Sequence, residues 1–219
     1  MLLWIRGSLS PQELRDRLLA DTEFESQLLQ WLEGCHTGDF STTTGDVLAE
    51  ELEESYIEHL SDGTSETRTR LKRNIRDPAT TLPRAPPQFD EPEDVAAWHK
   101  SFLEETDRLV FCSNRHDRRH GQGCWRFNAS GTGYCRARFP RELFEHTQVD
   151  RASGAIRFAK NEAWINTYNP VLSQAIHSNT DVSCLLSGTQ VKAIVAYVTD
   201  YVTKTSLTTH GFFETVRAV

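Results

Sequence analysis

The amino-acid sequence contains short apolar runs with the length of strands and longer segments of helical periodicity, a combination compatible with an α+β fold. The run Met-Leu-Leu-Trp-Ile at positions 1–5 predicts a short buried strand that ends at Gly7. Ser10 and Pro11 then begin a helix, and the segment 196–204 has the spacing of an amphipathic helix near the end of the chain. Both kinds of element are therefore expected in one chain.

Capping signals define the first helices. Ser10 can accept a hydrogen bond from a free amide, Pro11 suits the first helical position, and Glu13 can complete a capping box. The helical pattern of apolar residues continues to about Gly34, and a break is expected near Asp21. The sequence therefore predicts helical segments over most of the first 34 residues.

A further helix is expected over about Asp46–Leu60, and residues 61–92 predict a flexible, proline-rich linker. The linker has few large apolar residues and three pairs that contain proline. Its basic segment 68–73 could touch a nucleic-acid backbone, although a solvated helix face is the favoured interpretation. The expected organisation is an N-terminal region 1–60, the linker, and a region 93–219.

Beyond the linker, a helix of about ten residues after Glu91 is expected to lead into a Leu-Val-Phe strand at 109–111. Ala-Trp-Ile-Asn (163–166) predicts a buried strand, and Asn169-Pro170 predicts the turn that begins the next helix. The aromatic Tyr168 could stack on a base, but a place in the core is the favoured expectation.

The composition indicates a globular region with a locally basic surface. The chain has 219 residues, is 38% hydrophobic and carries a net charge of −7, so the whole surface is not a nucleic-acid footprint. Arginines nevertheless cluster around the cysteines between positions 115 and 141. No run of 18 apolar residues and no secretion signal is present, and five cysteines in such a chain are expected to be reduced thiols.

Cysteine and histidine residues recur with metal-ligand spacing between positions 112 and 135. Thiolates and imidazoles are suitable Zn²⁺ ligands, and a structural site needs four of them. The sequence offers five candidates, which are Cys112, His116, His120, Cys124 and Cys135. Either a zinc site or free cysteines in a polar loop fits this pattern.

Tyr197 and Tyr201 lie four residues apart on the predicted helix 196–204 and therefore share one face, with Lys204 nearby. A tyrosine oxygen can attack a phosphodiester if a metal ion polarises the phosphate and a cation neutralises charge. Two half-buried aromatic side chains are the alternative interpretation of this pair.

Several blocks in order resemble the Rep region of Helitron transposases. They are Cys-Arg-Ala-Arg-Phe-Pro-Arg-Glu-Leu-Phe (135–144), Ala-Trp-Ile-Asn-Thr-Tyr-Asn-Pro-Val-Leu (163–172), Asn-Thr-Asp-Val (179–182), Leu-Ser-Gly-Thr (186–189) and the two-tyrosine segment. The resemblance, more than the periodicity, is the basis of the α+β prediction. It implies an antiparallel sheet with flanking helices, similar to a Rep nuclease and incomplete, with a Cys/His-rich insertion. It also implies a chain that begins just after the His-x-His metal motif and ends before the helicase.

The resemblance assigns roles to several residues. His116, Cys124 and Cys135 match the family's Zn²⁺ ligands, and Cys112 or His120 would supply the fourth; we select Cys112. Arg136, Arg138 and Arg141 would hold DNA. Tyr197 and Tyr201 would be nucleophiles and Lys204 would neutralise charge, with Mg²⁺ or Mn²⁺ bound by a histidine motif from elsewhere.

Three functional hypotheses follow. The first is a nuclear, rolling-circle transposase fragment that nicks and rejoins a DNA strand, inactive alone and dependent on a helicase domain encoded downstream. The second is a non-catalytic, zinc-containing module that binds single-stranded DNA. The third is an inert pseudogene product. No membrane partner is expected.

Overall fold

The computed structural model of the protein describes residues 7–82, 85–86, 91–120, 122–184, 192, 194–196 and 198–199. Its fold is α+β, as the sequence predicts, with helices and small antiparallel sheets. Two compact units are present. The first combines Met1–Ser26, Asp150–Ala155 and Cys184–Val219, and the second combines Gln27–Val149 and Ile156–Ser183.

The first helices form as their capping signals predict. Helix α1 spans Pro11–Ala20, and Ser10 and Glu13 make the reciprocal hydrogen bonds of a capping box. The expected break between helices falls at Asp21, whose carboxylate accepts a hydrogen bond from the amide of Phe24 at 3.0 Å. Helix α2 then spans Thr22–Cys35. The strand predicted for residues 1–5 lies outside the described residues, apart from Gly7 at its end.

The long helix predicted from Asp46 is wrong in its second half. Helix α3 spans Gly45–Leu52, and strand β1 follows at once over Glu53–His59. Strand β2 spans Ser65–Leu71 and pairs with β1 in an antiparallel hairpin. This second strand lies within the segment 61–92 that was expected to be a flexible linker. Cross-strand charge pairs support the hairpin, among them Arg70 and Glu54 at 2.8 Å.

Helix α4 spans Pro92–Ser113, so the strand predicted at 109–111 is wrong. Leu109, Val110 and Phe111 are all buried because α4 packs against other parts of the chain on two of its sides. Phe111 joins Leu48 and Leu52 in one cluster, whereas Val110 joins Ile165 and Tyr168 in another. We call these two clusters the α4 core. The expectation that Tyr168 is a core residue is confirmed, since its side chain is fully buried.

Buried polar groups connect the loops to the α4 core. The Asp107 carboxylate accepts the amides of Ser41 and Thr42 at 2.8 and 2.7 Å, and the Thr42 hydroxyl at 2.7 Å. Asn114, which caps α4, exchanges two hydrogen bonds with the backbone of Thr180. These contacts satisfy buried polar atoms and fix the point at which the chain leaves α4.

Short strands and one more helix complete the described part. Strands β3 (Trp125–Phe127) and β4 (Gly133–Cys135) form one hairpin, and β5 (Gln148–Val149) and β6 (Ile156–Arg157) form another. Helix α5 spans Pro170–Ile176 with Asn169 as its cap, as predicted, whereas residues 163–166 make only an isolated bridge at Ile165. Among the described residues, no helix has the length and apolarity to cross a bilayer.

Candidate metal centre

Four ligand atoms converge at one point of the second unit. They belong to His116, His120, Cys124 and Cys135, all lie within 4.8 Å of one another, and the group could hold a metal ion. His116 Nε2 is 3.1 Å from His120 Nδ1 and 3.1 Å from Cys124 Sγ. Cys135 Sγ is 3.3 Å from Cys124 Sγ and 3.5 Å from His116 Nε2.

These separations fit a tetrahedral ion. With metal–nitrogen and metal–sulfur bonds of about 2.0 and 2.3 Å, the edges of a tetrahedron are about 3.3 Å between nitrogens, about 3.5 Å between nitrogen and sulfur, and about 3.8 Å between sulfurs. The four distances given above are equal to these edges or shorter by up to about half an ångström, while the limit over all pairs of the four ligand atoms is 4.8 Å. Binding an ion in the middle of the group therefore requires adjustments of the side chains.

The end of α4 positions the two histidines. The chain leaves the helix at Asn114, and the amide of His116 donates to the carbonyl of Trp164 at 2.7 Å. His120 follows in a turn, and its amide donates to the carbonyl of Asp117. The φ angle of His120 is 51°, in the left-handed region. The His116 ring also stacks on Phe139, with centroids 4.5 Å apart.

The β3–β4 hairpin brings the two cysteines together. Cys124 immediately precedes β3, and Cys135 ends β4 opposite Trp125. The connecting loop turns around Asn128, whose side-chain oxygen accepts the amides of Ser130 and Thr132 at 3.1 and 2.8 Å. Residues eleven positions apart in sequence thereby reach one metal-sized site.

Backbone amides after Cys135 point toward the sulfurs. A hydrogen bond to Cys135 and partial burial raise the pKa of the Cys124 thiol. Burial alone would raise the pKa of Cys135, but hydrogen bonds from the amide of Phe139, from Cys124 and from neighbouring amides outweigh it and lower that pKa. Cys135 is therefore the sulfur best prepared to be a thiolate ligand.

The histidine environment also suits metal binding. Burial lowers the pKa of His116, and the neighbouring His120 lowers it further. A neutral imidazole is the form that ligates a metal, so the environment of His116 favours the ligating state at neutral pH.

Cys112 lies apart from the four-residue group. It is on α4 and borders a cleft of about 570 Å³ that is also lined by Glu53 and Asp77. Although part of the residue is exposed, burial of its thiol raises its pKa to about 11, so it is protonated at neutral pH. Of the two alternatives for the fourth ligand, the structure brings His120, and not Cys112, to the other three.

Arginines are frequent in the sequence around the candidate ligands. Residues 115–141, which we call the Cys/His region, carry seven arginines and one acidic residue, Asp117. The side chains of Arg136 and Arg138 are exposed on the turn that follows Cys135. Arg141 is half-buried, donates to Asn166 at 2.9 Å and lies over the ring of Phe139. The three predicted DNA-binding residues thus lie close to the candidate metal ligands in sequence, but only two of them are fully open to solvent.

Aromatic residues of the hairpin are a feature that sequence analysis missed. Trp125, Phe127 and Tyr134 are 40%, 72% and 49% exposed. The alternation Trp-Arg-Phe before an Asn- and Gly-containing turn is a hairpin signal that could have identified them.

The predicted catalytic residues Tyr197, Tyr201 and Lys204 lie outside the described residues. Their described neighbours 194–196 and 198–199 are helical, as the spacing predicts. No family model, no curated protein and no solved structure matches the chain. The candidate site is therefore interpreted from its own chemistry.

Proposed function

We propose that the chain is a zinc-stabilised segment that binds single-stranded DNA, in keeping with its resemblance to the Rep region of Helitron transposases. The observation that carries the proposal is the convergence of four ligand atoms among exposed arginines. Two imidazoles and two cysteine sulfurs form a donor set typical of structural zinc.

A structural role suits the ligand count. His116, His120, Cys124 and Cys135 would fill all four positions of a tetrahedral ion and leave none open to activate a water molecule. The β3–β4 hairpin has three residues in each strand, and five of the six are exposed. A hairpin of this size is marginal in water, so the ion would supply most of its stability.

The ordered hairpin would present arginines to phosphates. The amide of Arg136 donates to the carbonyl of Cys124 at 2.7 Å, and the amide of Arg138 donates to the carbonyl of Cys135 at 2.9 Å. Their backbones are thus tied to two ligands, whereas their guanidinium groups face solvent. Guanidinium groups match phosphate geometry, and a cluster of them gives affinity that depends on salt.

The test is a titration of the zinc-loaded full chain into a fluorescein-labelled single-stranded oligonucleotide, followed by anisotropy at several salt concentrations. We expect binding that weakens as salt rises, and a smaller salt slope for an Arg136→Ala/Arg138→Ala variant. Lys100→Ala is the control, since the Lys100 side chain is 76% exposed in the first half of α4.

Absent or salt-insensitive binding would contradict the proposal. Equal losses in the arginine variant and in the Lys100→Ala control would also contradict it, because the effect would then reflect net charge alone. Zinc content must be the same in all three proteins, so that a loss of binding is not a loss of folding.

Strand nicking is a second candidate, favoured by the Tyr197–Tyr201 spacing and by the helical residues on both sides of Tyr197. In this proposal a tyrosine oxygen loses its proton and attacks a DNA phosphate; a phosphotyrosine bond forms as the bond from phosphorus to one sugar oxygen breaks, and that oxygen leaves as a free hydroxyl after taking up a proton. Lys204 would neutralise charge, and an added upstream His-x-His segment would hold Mg²⁺ or Mn²⁺ to polarise the phosphate. A protein–DNA adduct on a denaturing gel that is lost in Tyr197→Phe/Tyr201→Phe would support it. No adduct from the protein with the added segment would contradict it.

A further inference from the structure

One face of the β3–β4 hairpin presents two aromatic rings side by side. In this antiparallel pair Trp125 lies opposite Cys135 and Phe127 lies opposite Gly133, so these four residues share a face. Trp125 is 40% exposed and Phe127 is 72% exposed. Single exposed aromatics are ordinary on protein surfaces, whereas two adjacent rings on one short hairpin form a continuous apolar patch.

Gly133 provides the space for this arrangement. A Cβ atom added there would lie 3.3 Å from Cε1 of Phe127 and 3.4 Å from Cε3 of Trp125. Both rings therefore lie across the opposite strand, directly over the glycine. A larger residue at this position would push the rings away from the strand and change the shape of the patch.

The candidate metal centre supports one end of the patch. The Trp125 ring contacts the ring of His120, with centroids 4.8 Å apart. Because His120 is one of the four ligand residues, an ion that fixes His120 also orders the inner side of Trp125. The outer side of the patch stays open to solvent.

Charge complementarity identifies the occupant. The Cys/His region that contains the patch carries seven arginines and one acidic residue, in a chain whose net charge is −7. Arg115 and Arg118 form ion pairs with Glu53 and Asp46, which lie outside the region, and the other five arginines have no ion pair with a carboxylate among the salt bridges of the described residues. Arg126 lies between Trp125 and Phe127 in sequence, on the opposite face of the hairpin, and Arg136 follows Cys135 at the end of β4; both residues are exposed. Flat apolar rings on a hairpin that also carries exposed cations fit a chain of unpaired bases joined by phosphates, because every base has a π-face and every linkage has a negative charge.

We propose that Trp125 and Phe127 form a base-stacking surface for single-stranded DNA, with one ring for each of two successive bases. This inference rests on the proposed function, to which it adds the residues and the mode of contact. It assigns the arginines to the phosphates and the aromatic face to the bases, so unpaired DNA is preferred over a duplex, whose bases are already stacked.

The test compares two probes with equal numbers of phosphates: a fluorescein-labelled oligothymidine and an abasic oligonucleotide of the same length. The zinc-loaded full chain is measured beside Trp125→Ala, Phe127→Ala and Gly133→Val. We expect each variant to bind oligothymidine at least about fivefold more weakly and to bind the abasic probe as the unsubstituted chain does. Trp31→Ala is the control, because Trp31 is 66% exposed on α2 and should have no effect.

The outcomes separate this inference from the proposed function. If the unsubstituted chain binds both probes equally, or if the hairpin variants keep full affinity for oligothymidine, the stacking surface is overturned while salt-dependent DNA binding stands. If the unsubstituted chain binds neither probe, both proposals fall. Equal zinc content in Phe127→Ala and the unsubstituted chain shows that any loss of affinity is not a loss of folding.

Discussion

The α4 core and the Cys/His region are built on different physical principles. In the α4 core, the side chains of Leu48, Leu52 and Phe111 are almost fully buried, and apolar burial stabilises the arrangement. The β3–β4 hairpin of the Cys/His region is mostly exposed, and its most buried residue is the candidate ligand Cys135. One region folds by excluding water, whereas the proposed function has the other held together by four ligands around an ion.

The largest expected effect follows removal of the proposed zinc ion, which should destabilise the Cys/His region and leave the α4 core folded. A chelator should lower hydrogen-exchange protection at the amides of Asn128 and Arg136, both hydrogen-bonded within the hairpin, by at least about a hundredfold. Protection at Asn114 and Tyr168, whose amides donate to the carbonyls of Val110 and Thr37, should change far less. Loss of protection in both regions together would mean that they fold as one unit.

The next effect concerns the α4 core alone. Phe111→Ala should lower the free energy of unfolding by about 3–5 kcal/mol, because it removes a buried ring from a packed cluster. Phe127→Ala is the matched control: that ring is exposed, so its removal should cost no more than about 0.5 kcal/mol. Urea denaturation measures both. Similar losses in the two variants would contradict the distinction between the regions.

A buried carboxylate provides a polar test of the same core. Asp107→Asn replaces two acceptor oxygens by one and sets an amide NH₂ against the donors of Ser41 and Thr42, which should cost about 2–3 kcal/mol. Asp62→Asn, in the exposed turn between β1 and β2, should have little effect. Unchanged stability in Asp107→Asn would show that these hydrogen bonds are not needed to hold the 41–42 loop.

The smallest expected effect is a change of stability with pH. Lys160 is buried and donates to the carbonyl of Ile165 at 3.0 Å, and burial lowers its pKa from 10.5 to about 8. Between these values the unfolded chain binds more protons than the folded chain, so the contribution of Lys160 makes stability rise with pH. With allowance for solvent screening of a group that water partly reaches, this contribution amounts to roughly 1–2 kcal/mol across the interval.

A comparison with Lys160→Met isolates that contribution. The free energy of unfolding of the unsubstituted chain, relative to Lys160→Met, should increase as pH rises from about 8 to about 10.5. Lys100→Met, at a largely exposed position, should show no such difference. A constant difference over this interval would mean that the pKa of Lys160 is the same in the folded and unfolded chains.

Local signals predicted part of the fold. The capping box at Ser10 and the Asn169-Pro170 pair marked the starts of α1 and α5, because caps act through neighbouring residues. The α4 segment 109–111 was mistaken for a strand because packing on two sides buries consecutive residues of a helix. That packing depends on residues more than 40 positions away, and periodicity does not reveal it.

The predictions for the β1–β2 hairpin and for the fourth candidate ligand also differ from the structure. Asp62-Gly63 lies at the turn between β1 and β2 and is a hairpin signal, but the proline pairs and the few large apolar residues of 61–92 favoured a linker. At the candidate metal centre, sequence spacing allowed either Cys112 or His120 as the fourth ligand. The choice depends on where α4 ends, since Cys112 is still helical and His120 lies beyond the helix.

The most direct test of the central claim is the metal affinity of single-residue variants. Zinc content by mass spectrometry and Co²⁺ absorption would be measured for the unsubstituted chain, His120→Ala and Cys112→Ser. We expect tetrahedral binding in the unsubstituted chain and in Cys112→Ser, and its loss in His120→Ala. Loss in Cys112→Ser with full binding in His120→Ala, or no binding by the unsubstituted chain, would contradict the proposed metal centre.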